Sequence, residues 1–277
     1  MPERKRRILV IDDDNTIATL LQPHFAQENF EAHIVTTGQE GLQDAFTTPP
    51  ALVLLSAKLP DMAGLEVFKQ LRARARTTHI PIMIVAGHSE ARQQNELLAA
   101  GADDFIAKPF DLDILALRIR NTIRRTERDG LNNPRSGLPT GRLVTERIRA
   151  LADEFGWYII DFSIDNFDPF TNNYGFMAGE EVVAFVSNLL NEVVAEKGSP
   201  DDFIGHRDGA DFVIVTKLAK GPELSALLSN RFNDEALNFY SFIEREQGYL
   251  EIPDENGGVV QRPLMKAKIK TVEGEPE

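Results

Sequence analysis

Five short apolar runs, each followed by a stretch whose apolar residues recur every three or four positions, constrain the first half of the chain most. The runs cover 8–11, 32–35, 52–55, 82–85 and 105–107; the periodic stretches lie near 15–28, 39–47, 64–74, 89–100 and 112–126. A strand that is apolar throughout has to be covered on both faces, and strands alternating with helices give a doubly wound parallel α/β sheet. The stretch near 64–74 shows the helical period plainly, with Leu65, Phe68 and Leu71 on one face. Pro23 falls inside the first helix, where it should remove the bond to the Thr19 carbonyl and bend the axis. The third run stops at Ser56, and a Leu59-Pro60 turn leads into the helix after Gly64. Such a strand delivers Ser56 to the carboxyl edge of the sheet, where ligands of open α/β sheets bind.

Asp12, Asp13 and Asp14 follow the first strand directly, so two of their carboxylates should face the same edge as Ser56. Carboxylates about 4 Å apart repel by roughly 4 kcal/mol at an effective dielectric near 20, and so call for a cation between them. Mg²⁺, held weakly by Asp12 and Asp13, or the ammonium of Lys108 meets that need. Lys108-Pro109 follows the fifth strand at the matching edge; the structural alternative is that Asp13 and Asp14 only cap the first helix. No other cofactor is expected.

The segments ILVIDDD, LLSAKLPDMAGLE, IPIMIVAGHSE and AGADDFIAKPF resemble, in order and separation, the successive motifs of response-regulator receiver domains. The resemblance spans nearly all of residues 7–120 and implies a flavodoxin-like, five-stranded fold. Asp12 and Asp13 match the acidic metal-binding pair, Lys108 the phosphate-contacting lysine, and Phe105 the aromatic switch position. Ser56 matches the phospho-accepting aspartate, and Ala86 the Thr or Ser that contacts the phosphoryl group. A carboxylate is ionised at neutral pH and attacks phosphorus directly, whereas a serine hydroxyl needs a general base. Ala86 has no hydroxyl to follow a phosphoryl group, so the link to Phe105 is cut. The resemblance therefore implies a pseudo-receiver; Ser56 as a new phosphosite with Asp13 as base is the lesser alternative. Receivers commonly pair through their fourth and fifth helices, so a homodimer is an expectation from resemblance.

At 277 residues the chain is long enough for two domains. A net charge of −13 argues against coating nucleic acid or inserting into an anionic membrane. With no cysteine, disulfides, thiolate zinc sites and cysteine nucleophiles are excluded; the five histidines show no HxxxH or HxH spacing. The apolar run after the basic lead-in Arg4 to Arg7 is too short for a signal peptide or a membrane span, so a cytoplasmic location is expected. Arg118, Arg120, Arg124, Arg125 and Arg128 continue the fifth helix, as a solvated basic face or a docking stripe. The turn-rich LNNPRSGLPTG follows. The expected boundaries are a receiver-like domain over 1–120, a helical linker over 121–135 and a second domain over 136–277.

In the second half, a helix is expected near 142–154, a strand over 157–164, and an amphipathic helix over 181–194. Two short strands, 203–206 and 212–215, flank Asp208-Gly209, a favoured hairpin turn. A helix near 222–240, a hairpin around Asn256-Gly257-Gly258 and a strand near 264–271 complete the pattern, with GEPE expected to fray. Phe239, Tyr240, Phe242 and Tyr249 near this hairpin form a contact surface or ordinary core.

SGLPTGRL, IIDFSIDNFDPFTNNYGFMAGEEVV and RDGADF resemble the ordered motifs of GGDEF domains, the α+β, ferredoxin-like palm of diguanylate cyclases. The family's chemistry requires carboxylates for Mg²⁺, glycine backbone and lysines for a triphosphate, and side chains for guanine. Ser163 matches the first metal-binding aspartate, and Ala210 the acidic third residue of the signature. Asp208 replaces the first signature glycine, and Asp168 a phosphate-binding lysine. Thr171 matches the guanine-contacting asparagine and Glu180 its partner aspartate, while Asp165, Gly209, Asp211 and Phe212 are retained. Ser199 and Asp202 match the inhibitory-site Arg-x-x-Asp, without its arginine. The resemblance implies a bacterial response-regulator-type signalling or scaffold protein acting on protein partners, with no enzyme activity, no Asp phosphorylation and no c-di-GMP synthesis. A module that binds a nucleotide or c-di-GMP is the alternative reading, and a residual cyclase the weakest.

Overall fold

Branched and aliphatic side chains fill the centre of the first sheet, along 8–11, 52–55 and 82–86. The computed structural model describes residues 5–28, 30–87, 90–128, 131–253 and 258–274. The chain divides into two compact units, Met1–Gly130 and Leu131–Glu277. In the first, β1 (Arg6–Ile11), β2 (Phe30–Val35), β3 (Leu52–Ser56), β4 (Ile82–Gly87) and β5 (Asp104–Lys108) pair in parallel, in the order β2-β1-β3-β4-β5. Between and after them run α1 (Asn15–Gln27), α2 (Gly38–Thr47), α3 (Gly64–Ala73), α4 (Ala91–Ala99) and α5 (Leu112–Arg128). Alternate strand residues feed opposite faces. Leu9, Ile11, Val53 and Leu55 pack with Leu42, Phe68, Leu71 and Leu97 of α2, α3 and α4. Ile8, Val10, Leu52 and Leu54 pack with Phe25 of α1 and with Leu115, Ile119 and Ile123 of α5.

α1 runs on through Pro23. α5 continues to Arg128 with Thr122, Ile123 and Thr126 buried, so residues expected in a linker pack within the first unit. Its basic run is partly tied down there: Arg118 pairs with Asp104 at 3.0 Å, Arg120 with Glu28, and Arg125 donates to the Asp103 carbonyl at 2.9 Å.

The second unit contains α6 (Arg142–Ala150), β6 (Trp157–Asp165), α7 (Phe167–Tyr174), α8 (Phe176–Lys197), β7 (Phe203–Asp208) and β8 (Asp211–Lys217). They are followed by α9 (Gly221–Glu235), α10 (Phe242–Gln247), β9 (Tyr249–Pro253), β10 (Val259–Pro263) and β11 (Lys266–Glu273). Four strands form an antiparallel sheet in the order β11-β6-β8-β7, and β9 and β10 form a separate hairpin. The last main strand thus lies beside the first. Phe162, Ile164, Phe212 and Ile214 of the sheet pack against Val186 and Leu190 of α8 and Leu228 and Phe232 of α9.

Several local expectations shift. The helix expected over 181–194 begins at Phe176, and the one near 222–240 ends at Glu235, followed by a 3₁₀ turn over Ala236–Phe239. α10 was readable as a capping box, Ser241 with Glu244, both of whose bonds are made. Asp208 pairs with Asp211, so the hairpin turns on Gly209-Ala210, one residue beyond expectation; Gly209 supplies the positive φ of 54°. Asn256 and Gly257 of the expected second turn lie outside the described residues. Gly274 is buried rather than frayed, its N–H donating to the Trp157 carbonyl at 2.9 Å.

Gly64 starts α3 where a Cβ would stand 2.4 Å from the Ser56 carbonyl oxygen and 2.8 Å from that of Ala57. Both are backbone atoms, so relief requires the β3–α3 turn to open. Gly64→Ala is expected to cost about 1–3 kcal/mol. In urea denaturation followed by circular dichroism, the first unit's midpoint should fall while the Trp157 fluorescence transition, which reports the second unit, stays in place.

Candidate functional site

The carboxyl ends of β1, β3, β4 and β5 enclose a cleft of about 280 Å³, lined by Asp13, Ser56, Lys58, Leu59, Pro60, Gly87, Glu90 and Lys108. Parallel strands end in register here, which is why residues far apart in sequence meet. Asp12 is only 2% exposed, and the Lys108 ammonium lies 2.8 Å from one of its carboxylate oxygens and 3.7 Å from Asp14. Burial pushes the Asp12 carboxyl up, against the hydrogen bond from Lys108 and the backbone N–H of Asp14. Of the two carboxylates expected to share a cation, Asp12 is thus neutralised by Lys108, while Asp13 is exposed on the cleft wall.

Ser56 is buried, and its hydroxyl donates to the Lys58 carbonyl at 2.8 Å. Ala86 is buried in the core, and Phe105 is half-buried against the same cluster. Glu90 was not anticipated: its carboxylate lines the cleft and accepts the Gly87 N–H at 2.8 Å. Its signal was an acid three residues after the fourth strand. Among the described residues no group of three or more His, Cys, Asp or Glu side chains is arranged to hold a metal ion.

This edge has an acid directly after β1 and a lysine at the end of β5, in a sheet of order 2-1-3-4-5. Residues 8–120 are a response regulator receiver domain, matching that family's model throughout. The chain is 36% identical over 118 residues to the response regulator ArlR of Staphylococcus epidermidis, covering 43% of this chain and 52% of ArlR. It is 34% identical over 138 residues to the cell cycle transcriptional regulator CtrA of Caulobacter vibrioides, covering 50% of this chain and 57% of CtrA. The chain therefore spans about half the length of these curated relatives. Among solved structures, the CheY-like receiver domain protein of Methanospirillum hungatei is 31% identical, covering 46% of this chain and 99% of that one, with a TM-score of 0.42.

Beyond the receiver domain, the second unit gathers acids at one end of its sheet. Phe162 pairs with Phe212, so Ser163 to Asp165 extend beside the β7–β8 hairpin. Asp165, Asp168, Asp208 and Asp211 are all exposed. Asp165 pairs with Lys268 of β11 at 3.1 Å, and Asp208 accepts its neighbour Gly209's N–H at 2.8 Å. The Ser163 hydroxyl donates to the Lys268 carbonyl at 3.3 Å; Ala210 and Phe212 are buried. Thr171 donates to the Asp168 carbonyl at 3.0 Å, and Glu180 pairs with Arg135 at 3.0 Å. Tyr240, placed in the candidate contact surface, is core and accepts the Met265 N–H at 2.8 Å, whereas Phe242 is 69% exposed.

His206 is fully buried, stacked on Phe212, with Nδ1 2.9 Å from the Ser136 hydroxyl and Nε2 3.0 Å from the Gly209 carbonyl. A carbonyl only accepts, so Nε2 carries the proton and Nδ1 accepts from Ser136. The sequence concealed this role, because a lone histidine in an apolar strand has no metal spacing.

Lys108→Ala would leave the Asp12 charge buried without its cation. Because Lys108 is itself 27% exposed and Asp12 keeps a backbone donor, the expected loss at pH 7 is about 2–3 kcal/mol. Removing the lysine raises the Asp12 pKa further, so the folded state takes up a proton before the unfolded state does. The penalty should therefore shrink as urea titrations move from pH 7 towards pH 5.

Burial lowers the His206 pKa below its ordinary 6.5. The unfolded chain then binds the proton first, so stability present above pH 6.5 should be lost as pH falls below it. Denaturation monitored by Trp157 fluorescence should show this decline between pH 7.5 and about 5.5, and His206→Gln should flatten it.

Proposed function

We propose that this is a non-catalytic, response-regulator-type signalling protein, with a receiver domain that is not phosphorylated on aspartate and a degenerate GGDEF-like second unit. One observation carries the reading: the serine hydroxyl at the end of β3 is turned onto the Lys58 carbonyl while Lys108 is held by Asp12. The groups that would attack and receive a phosphoryl group are thus engaged internally. Asp13 and Glu90 on the same cleft add negative charge that opposes an incoming anion.

The second unit's main sheet takes its strands in the order β11-β6-β8-β7, with α7 and α8 between β6 and β7, α9 after β8, and α10 and the β9–β10 hairpin inserted before β11; the last strand beside the first supports a ferredoxin-like palm. Its sheet end carries Ser163 and Ala210 in place of metal-binding acids and Asp168 and Asp208 in place of phosphate-cradling groups. Exposed carboxylates repel a triphosphate. ArlR is named a response regulator and CtrA a transcriptional regulator. A comparable DNA-binding output is disfavoured here, since residues 131–277 carry 14 Lys and Arg against 25 Asp and Glu. Output then rests on protein contacts, in a cytoplasmic pathway, with a receiver-mediated homodimer as a further expectation.

Incubation of the full chain with GTP and Mg²⁺ should yield no c-di-GMP, and acetyl phosphate should leave no stable phosphoryl adduct by intact-mass spectrometry. Turnover abolished by Asp165→Asn, or an adduct lost in Ser56→Ala, would reject the reading.

A further inference from the structure

Five apolar side chains stand out on the second unit, at the α7–α8 junction and on α10. Phe176 and Met177 are each 64% exposed, Phe242 is 69% and Ile243 70% exposed; Tyr174, 37% exposed, precedes Phe176 by two residues, and its hydroxyl bonds Glu244, the residue after Ile243. The Tyr174 ring stacks on buried Phe170, with centroids 4.8 Å apart, and its hydroxyl donates to Glu244 of α10. α10 is fixed in turn by its own capping box. The surface is therefore rooted in the core at Phe170 and pinned at both ends, so its apolar groups are presented by rigid elements. Soluble proteins seldom leave such groups clustered without a partner.

The charges around it identify the partner's chemistry. The ends of the helices bearing these side chains also bear Asp168, Glu180, Glu181, Glu244 and Glu246 against one cation, Arg245; the other charges of α8, Glu192, Glu196 and Lys197, lie in its far half. Arg135 lies over the Phe176 ring at 5.2 Å but is neutralised by Glu180 at 3.0 Å. An apolar centre with an acidic rim complements an apolar stripe flanked by lysine or arginine. A second copy fits poorly, because a two-fold contact would bring this acidic rim against itself.

We propose that this surface docks a basic amphipathic helix of a partner protein. The proposal rests on the reading that residues 131–277 act through contacts, and it names where. It places the contact around the segment whose cyclase-family counterparts would hold guanine, next to Glu180.

The test uses the full chain and a labelled Leu/Lys peptide with its leucines at helical spacing, read by fluorescence anisotropy. Saturable one-to-one binding is expected, weakened at least about tenfold by Phe242→Ser with Ile243→Ser and unchanged by Leu117→Ser. A peptide of the same composition with scrambled leucines should bind at least about tenfold more weakly, which separates docking from bulk charge attraction. The variant Glu181→Lys with Glu246→Lys, which leaves every apolar contact in place, should weaken binding similarly and keep the proposal testable if the serine variant unfolds. Equal binding by the scrambled peptide, or no change in either double variant, overturns it. So does sedimentation showing a dimer that Phe242→Ser with Ile243→Ser dissolves, since the surface would then belong to a second copy. Peptide binding is independent of nucleotide turnover, so c-di-GMP synthesis with intact docking would reject the functional reading alone.

Discussion

The Asp12–Lys108 pair is the interaction on which the first unit's ligand edge depends. Its partners stand at the ends of β1 and β5, Asp12 just past the first and Lys108 closing the second, strands that do not touch, since β3 and β4 run between them. The pair therefore bridges the carboxyl ends of the two intervening strands, with Ser56 and Gly87 in the cleft it helps to enclose. Its energetics are finely opposed: burial disfavours the Asp12 charge, while Lys108 and the Asp14 N–H favour it. The cleft keeps the geometry of a receiver while its polar groups answer one another.

The second unit handles one of its buried polar groups in the opposite way. His206 remains neutral, satisfied by a hydroxyl on one nitrogen and a carbonyl on the other, and so binds the segment around Ser136 to the β7–β8 hairpin without a charge pair. The Thr140–His206 bridge adds a backbone tie to the same segment. The hairpin's position beside Ser163 and Asp165 is thus fixed by packing and neutral hydrogen bonds.

Fold was more legible than site. All five strands of the first sheet could be read from apolar runs, most plainly the central three, which are covered on both faces, while the edge strands β2 and β5 are only partly buried; a Gly64 that admits no side chain marks where α3 must begin. α7 was overlooked because eight residues with two buried or half-buried phenylalanines show little periodicity. The β7–β8 turn slipped by one residue because Asp-Gly is a strong local signal, whereas the strands change register between His206, which faces Phe212, and Asp208, which faces Asp211. In the cleft, Asp12, Ser56 and Lys108 could be found from strand ends. Glu90 and Lys58 could not, because they enter through turns whose direction depends on the completed sheet. Lys268 was hidden for a related reason: its meeting with Asp165 exists only once β11 has paired with β6.

That pairing has a consequence for assembly. The Ser163 hydroxyl and the Lys268 carbonyl are 105 residues apart in sequence, so one side of β6 stays open until β11 emerges from the ribosome. The receiver domain's strands close over much shorter loops and can be complete by then. For the intervening interval β6 offers unpaired backbone to any neighbouring chain, a state in which strand exchange between nascent copies competes with folding. The lysines at 266, 268 and 270 travel with the closing strand and meet acids on β6, so the final strand arrives with charge that favours its own register.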